Sequence, residues 1–206
     1  MSFQPITGVI NPATTDNWSG YGDEFLNFLY EKVIELQPTT VLEFGTGWGY
    51  TTIAFAQGIR DSEKFDGMVY SYDHFIDDYD GGWTNNEPSV ENNLRMFDVD
   101  QYVRLQKIDV FEWLENPFHF DLSFIDLHNN GEILNKVFNH NFIKTSVLAG
   151  SEVIFCGGSE FRDEINIKRN ERPITSVDCE IKCVYGGPTM EYPKGMKSCI
   201  ARIVGY

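Results

Sequence analysis

Apolar runs of four to seven residues, rich in Val, Ile and Phe, alternate along most of the chain with longer stretches whose apolar positions recur every three or four residues. That alternation of strand and helix periods is the rhythm of a parallel sheet with crossover helices. Glu24 to Leu36 places Phe25, Phe28, Leu29, Val33 and Leu36 on one face and predicts a first helix, ended by Pro38. A strand over Thr40 to Phe44 runs into glycines at 45, 47 and 49, and a helix follows over Thr51 to Ile59, stopped near Gly58 or Arg60. Further strands are predicted over Met68 to Tyr72, Tyr102 to Gln106, Phe120 to Ile125 and Glu152 to Cys156. The helices between them are Ser89 to Phe97, Val110 to Leu114 and Ile133 to Phe142, with a weak one over Arg162 to Lys168. The pattern then changes to two long alternating strands, Ile174 to Tyr185 and Ser198 to Val204, which read as an antiparallel hairpin. His74 to Glu87 is polar and acidic, the longest candidate loop or lid.

Strand-helix units closed by a hairpin imply an α/β fold: a Rossmann-like, doubly wound, mostly parallel seven-stranded sheet with an antiparallel C-terminal hairpin. With 206 residues, 42% of them hydrophobic, the chain has apolar material for one well-packed domain. Residues 1–206 are expected to form it, 1–40 as an N-terminal segment and helix and 41–206 as the sheet core. The net charge of −15 repels polyanions, which argues against nucleic acid as a partner. There is no run of eighteen apolar residues and no basic-then-apolar start, so no membrane partner is expected and a cytoplasmic location is. Cys156, Cys179, Cys183 and Cys199 form no Cys-x-x-Cys pair and read as reduced thiols.

The most informative segment is Val41-Leu42-Glu43-Phe44-Gly45-Thr46-Gly47-Trp48-Gly49-Tyr50-Thr51-Thr52. Glycines at alternate positions after a buried strand let the backbone turn sharply and let a ligand touch the main chain. The spacing is G-x-G-x-G. A dinucleotide loop needs its third glycine where Tyr50 stands, and Glu43 adds a carboxylate that a pyrophosphate would meet unfavourably. The ligand is therefore expected to be cationic or zwitterionic rather than a nicotinamide dinucleotide.

Glu43-x-Gly45-x-Gly47-x-Gly49 resembles motif I of the class I S-adenosylmethionine-dependent methyltransferases. Tyr70-Ser71-Tyr72-Asp73, the Asn93-Leu94 helix, the Val103 to Asp109 strand and Phe120-Asp121-Leu122-Ser123-Phe124-Ile125-Asp126 follow in that family's order, so the likeness spans roughly Val41 to Phe155. It looks closest to the small-molecule O-methyltransferase branches. The resemblance implies that Gly45, Thr46 and Gly47 meet the amino acid end of S-adenosylmethionine, that Asp73 accepts both ribose hydroxyls, and that Asp109, with Val110 beside it, takes the adenine amino group. Asp109 reads equally well as a helix N-cap. Glu43 either orders the loop or meets the cofactor's ammonium. Trp48, Trp18 and Tyr21 are candidates to face the sulfonium, against plain packing.

Methyl transfer to a neutral hydroxyl or amine benefits from a general base, and the rim after strand four carries Asp126-Leu127-His128-Asn129-Asn130. His128 is the candidate base, with a surface histidine as the alternative. Asp126 is a candidate to orient it, to face the cofactor's ammonium or to hold a metal. Metal-dependent members of the family place acidic or amide residues at the end of strand five, whereas this chain has Cys156-Gly157-Gly158-Ser159 there, so no divalent metal is expected. The expected activity is methyl transfer from S-adenosylmethionine to a small-molecule acceptor at oxygen. The alternatives are an S-adenosylmethionine-binding interaction protein without turnover and, against Tyr50, a nicotinamide-dependent oxidoreductase. A second copy of the chain is a candidate partner, since such enzymes are often homodimers.

Overall fold

The computed structural model describes residues 2–9, 22–62, 66–75, 87–186 and 200–206. Its contacts group into two compact units, Met1–Asp109 and Val110–Tyr206. The first holds α1 (Asp23–Leu36), β1 (Thr40–Phe44), α2 (Tyr50–Asp61), β2 (Met68–Asp73), α3 (Glu87–Met96) and β3 (Val103–Lys107), with a 3-10 turn at Asp100–Tyr102. Its strands run in the order β3-β2-β1, all parallel. Phe25, Phe44, Phe55, Leu29 and Leu42 are fully buried there.

α2 runs through Gly58 to Asp61, three residues beyond the first predicted stop. The glycine marks a close helix contact: a Cβ on Gly58 would lie 2.6 Å from Val33 Cβ and 3.0 Å from the Tyr30 carbonyl oxygen on α1. A glycine inside a helix costs about 1 kcal/mol in propensity, so the apposition of α1 outweighs that preference. Gly58→Ala is expected to lower stability by about 1–3 kcal/mol through overpacking, read as a lower urea midpoint. An unchanged or raised midpoint would show that propensity wins.

The second unit holds α4 (Val110–Glu115), β4 (Leu122–Ile125), α5 (Gly131–Phe138), α6 (Asn141–Leu148), β5 (Glu152–Cys156), α7 (Glu160–Lys168), β6 (Glu180–Tyr185) and β7 (Ile200–Gly205). Its strand order is β4-β5-β7-β6. β4 and β5 are parallel, and β7 is antiparallel to both its neighbours. Seven strands result, mostly parallel, with the antiparallel C-terminal hairpin that the alternation predicts.

Two predicted elements change. The single helix expected over Ile133 to Phe142 is two helices. Asn139 ends α5, its amide nitrogen donating to Asn135 Oδ1 at 3.3 Å and to Asp178 Oδ2 at 3.1 Å. His140, with extended backbone, opens α6, which buries Ile143 and Ser146. The long strand expected from Ile174 begins only at Glu180, because Ile174–Ser176 is a 3-10 turn. Asp163 on α7 holds that turn, accepting the Ile174 N–H at 2.5 Å, the Thr175 N–H at 3.2 Å and the Thr175 hydroxyl, while Ile174 is fully buried. The turn joining β6 to β7 and Ser198 lie outside the described residues. Among the described residues no helix is long and apolar enough to cross a membrane.

Candidate active site

The glycine loop leaves β1 at its carboxyl end. Gly45, Gly47 and Gly49 have φ of 97°, 53° and 86°, the left-handed region in which a side chain is strained. The turn closes through the Gly49 N–H on the Thr46 carbonyl at 2.9 Å, and the Gly45 N–H continues the ladder to the Tyr72 carbonyl at 2.8 Å. A Cβ built on Gly47 would meet none of the described residues within 4 Å. At Gly49 it would press on Val90 of α3 at 3.2 Å.

Asp73 ends β2 one residue past the Phe44–Tyr72 pair, which brings its side chain level with the loop. Its Oδ2 accepts the Gly47 N–H at 2.9 Å and its Oδ1 the Phe75 N–H at 3.0 Å. Two of roughly four carboxylate acceptor sites are so engaged. The predicted convergence of glycine loop and aspartate is therefore present, on adjacent parallel strands.

Glu43 is fully buried beneath the loop. Its Oε1 accepts the Thr51 hydroxyl at 2.5 Å, and its Oε2 accepts Thr52 at 2.6 Å and Ser71 at 2.5 Å. Ser71 is Glu43's register partner on β2, and its Oγ lies 2.7 Å from Thr46 Oγ1 in the loop. Burial pushes the Glu43 carboxyl up to about 7; the three hydroxyls pull it down and the charge of Asp73 pushes it further up. These contacts tie Glu43 to the start of α2 and to β2.

Trp48 is buried, and its carbonyl accepts the Asn93 side chain from α3 at 3.1 Å. Trp18 and Tyr21 lie outside the described residues, as do residues 76–86 of the candidate lid. Tyr50, at the position where a dinucleotide loop carries glycine, is buried as the first residue of α2. Asp109, just past β3, pairs with His74 at 3.1 Å between half-exposed side chains. At that exposure the pair contributes little, on the order of 0–1 kcal/mol.

In the second unit, Val110 is buried as the first residue of α4, and Asp126 is half-buried just after β4. His128 is exposed, and its Nε2 lies 2.7 Å from Glu171 Oε1. The carboxylate beside the ring is that of Glu171, a residue the sequence reading gave no role. A carboxylate accepts only, so in the neutral imidazole the proton sits on Nε2 and the Nδ1 lone pair is available. The loop between them is shaped by Asn129, which is buried: its amide donates to the Ile125 carbonyl at 3.0 Å and the Cys156 carbonyl at 2.7 Å, tying the ends of β4 and β5. Its own carbonyl accepts from Arg162 and Asn166, each at 3.3 Å.

Ser71, Thr51, Thr52, Asn129 and Glu171 were given no role in the sequence reading, the first four appearing only within quoted motifs. A serine inside the apolar strand Met68–Asp73 was a usable signal, since a buried hydroxyl needs a partner. Glu171 had none, lying 43 positions from His128. Among the described residues no group of three or more His, Cys, Asp and Glu side chains is placed to hold a metal ion. The end of β5 is taken up by Gly157 and Gly158, both at positive φ, and by Ser159, which caps α7.

This arrangement defines a class of fold: the Rossmann-like methyltransferase fold, with its glycine loop after the first strand, an acid at the tip of the second and a reversed strand in the C-terminal hairpin. Solved structures of that fold match most of the chain. The O-methyltransferase from Bacillus cereus in complex with S-adenosylhomocysteine is 17% identical with a TM-score of 0.59, the match covering 93% of this chain and 84% of that one. The O-methyltransferase TomG from Streptomyces achromogenes, solved with S-adenosylmethionine, is 16% identical with a TM-score of 0.56, over 90% and 82%. The S-adenosylhomocysteine-bound methyltransferase PaMTH1 from Podospora anserina is 12% identical with a TM-score of 0.60, over 90% and 80%. No protein-family model matches the sequence, and neither does any curated protein.

Proposed function

We propose that the protein transfers a methyl group from S-adenosylmethionine to a small-molecule acceptor at oxygen. One observation carries the reading: the Asp73 carboxylate accepts from the main chain of Gly47, where an added Cβ would meet none of the described residues within 4 Å. A nucleoside whose ribose hydroxyls donate to Asp73 and whose amino acid end lies along Gly45, Thr46 and Gly47 fits that donor and acceptor set. Asp109 and Val110 are assigned to the adenine and Asp126 to the ammonium end, while Trp48 backs the loop. Bound there, S-adenosylmethionine would supply an electrophilic methyl carried on a sulfonium leaving group. His128 takes the acceptor's proton on Nδ1, and Glu171 holds the imidazole in the tautomer that permits it. The chain's other contribution is alignment and exclusion of water. On this reading it works as a single domain in the cytoplasm, without a divalent metal, and its charge of −15 opposes a nucleic-acid acceptor.

Calorimetry with S-adenosylhomocysteine, NAD and NADP tests the cofactor. Binding of the first alone is expected; binding of a nicotinamide cofactor alone would overturn the reading. Asp73→Ala should weaken S-adenosylhomocysteine about 10- to 100-fold, the loss of charge-assisted hydrogen bonds worth about 1.5–3 kcal/mol. Asp73→Asn should fall between, and equal affinity in all three proteins would remove Asp73 from the site. Turnover is then sought by S-adenosylhomocysteine release with a panel of phenols, catechols and carboxylic acids. A binding protein without turnover is the second reading, favoured by the end of β5, where Cys156, Gly157 and Gly158 stand in place of acidic or amide residues. Tight cofactor binding with no acceptor methylated would select it.

A further inference from the structure

The hydroxyl chain under the glycine loop has a direction, and Glu43 sets it. An ionised carboxylate only accepts, so Thr51, Thr52 and Ser71 all point their hydrogens at it. Ser71 Oγ, its hydrogen so directed, then accepts from Thr46 across 2.7 Å, and the Thr46 hydrogen points away from the ligand side. A proton on Glu43 Oε2 reverses the chain. The carboxyl donates to Ser71, the Ser71 hydrogen turns to Thr46, and the Thr46 hydrogen is released toward the loop.

We propose that Glu43 is a positioning residue whose protonation state, relayed through Ser71 to Thr46, couples the glycine loop to its ligand, so that binding a cationic or zwitterionic cofactor expels a proton from Glu43. The inference rests on the cofactor reading above and extends it to the control of affinity. Two terms give it one sign. A negative charge under the loop attracts an ammonium or sulfonium in surroundings of low dielectric. With Glu43 ionised, Thr46 also leaves its oxygen lone pairs, rather than its hydrogen, to meet an ammonium. Among the described residues the other titratable group acting on Glu43 is Asp73 on β2, whose charge opposes a second one beside it, while α2 contributes the Thr51 and Thr52 hydroxyls. Burial places the transition near neutrality, where such coupling is felt.

The test is calorimetric titration with S-adenosylhomocysteine and S-adenosylmethionine at pH 6, 7 and 8, in buffers of different ionisation enthalpy. Wild type should bind about three- to tenfold more tightly at pH 8 than at pH 6, within the roughly tenfold per pH unit that one linked proton allows, and should release protons to the buffer at pH 6. Glu43→Gln, which mimics the protonated carboxyl, should hold the low-pH affinity at every pH. Ser71→Ala, which cuts the relay and keeps the carboxylate, should lose the part of the dependence that passes through Thr46 and keep the part due to charge. A flat wild-type profile, or an unchanged slope in Glu43→Gln, overturns the proposal.

A second readout needs no cofactor. A carboxyl raised from 4.5 to about 7 on folding contributes stability that is complete below pH 4.5 and is lost as pH rises through 7. The melting temperature of wild type relative to Glu43→Gln must therefore fall between pH 5 and pH 8. A constant difference overturns the switch itself. A falling difference without binding of either nucleoside overturns the cofactor reading and the coupling with it, leaving the protonation of Glu43 as a property of folding alone.

Discussion

Gly131→Ala is expected to destabilise the second unit by about 3 kcal/mol or more, at the upper end of overpacking losses. Gly131 is the first residue of α5, a position where alanine is the better helix former by about 1 kcal/mol, so local preference alone predicts a gain. Its surroundings reverse the sign. A Cβ there would lie 2.1 Å from the Pro173 carbonyl oxygen and 2.9 Å from its carbon, and the Gly131 N–H donates to the Arg172 carbonyl at 2.7 Å. The opposing backbone has little freedom to retreat, because Ile174 beside it is fully buried and Asp163 holds Ile174 and Thr175 through their N–H groups. Urea unfolding should show the loss as a lower midpoint. Gly22→Ala is the control: a Cβ there meets none of the described residues within 4 Å, and the residue is an N-cap without a side-chain bond. Equal midpoints for the two variants would refute the steric account.

The second large effect is expected at His128. With an acceptor identified from the panel, His128→Ala should lower kcat about 10²- to 10⁴-fold, the usual contribution of a positioned general base, while leaving S-adenosylhomocysteine affinity unchanged. Glu171→Gln should cost less, on the order of tenfold, because the ring remains but its tautomer is no longer imposed by a carboxylate 2.7 Å from Nε2. Nitrogen-15 spectra of the histidine ring separate this from a packing defect: wild type should show the proton on Nε2, and Glu171→Gln a mixture. An acidic limb in the wild-type pH–rate profile that survives in His128→Ala would assign the base elsewhere.

Much of the first unit was legible because its signals are local. The apolar run Thr40 to Phe44, three alternating glycines and an aspartate closing the next strand are periodicities and backbone requirements that any fold of this chain must satisfy. The break between α5 and α6 was not read from the sequence, since no proline or glycine interrupts Ile133 to Phe142. What stops α5 is Asp178, brought to Asn135 and Asn139 at 2.9 and 3.1 Å from about forty positions away. Ile174 likewise reads as the start of a strand until Asp163, eleven positions earlier, captures its N–H.

The chain by itself determined the kind of fold and the bare loop facing an acid, because hydrophobic period and glycine placement act over a few residues. Tertiary structure decided which partner each polar group takes: Glu43 with the hydroxyls of α2 and β2, and His128 with Glu171. Such choices depend on distances set only once strands are in register and loops are anchored, and a carboxylate's hydrogen bonds within 3 Å leave no trace in the spacing of residues 28 or 43 positions apart.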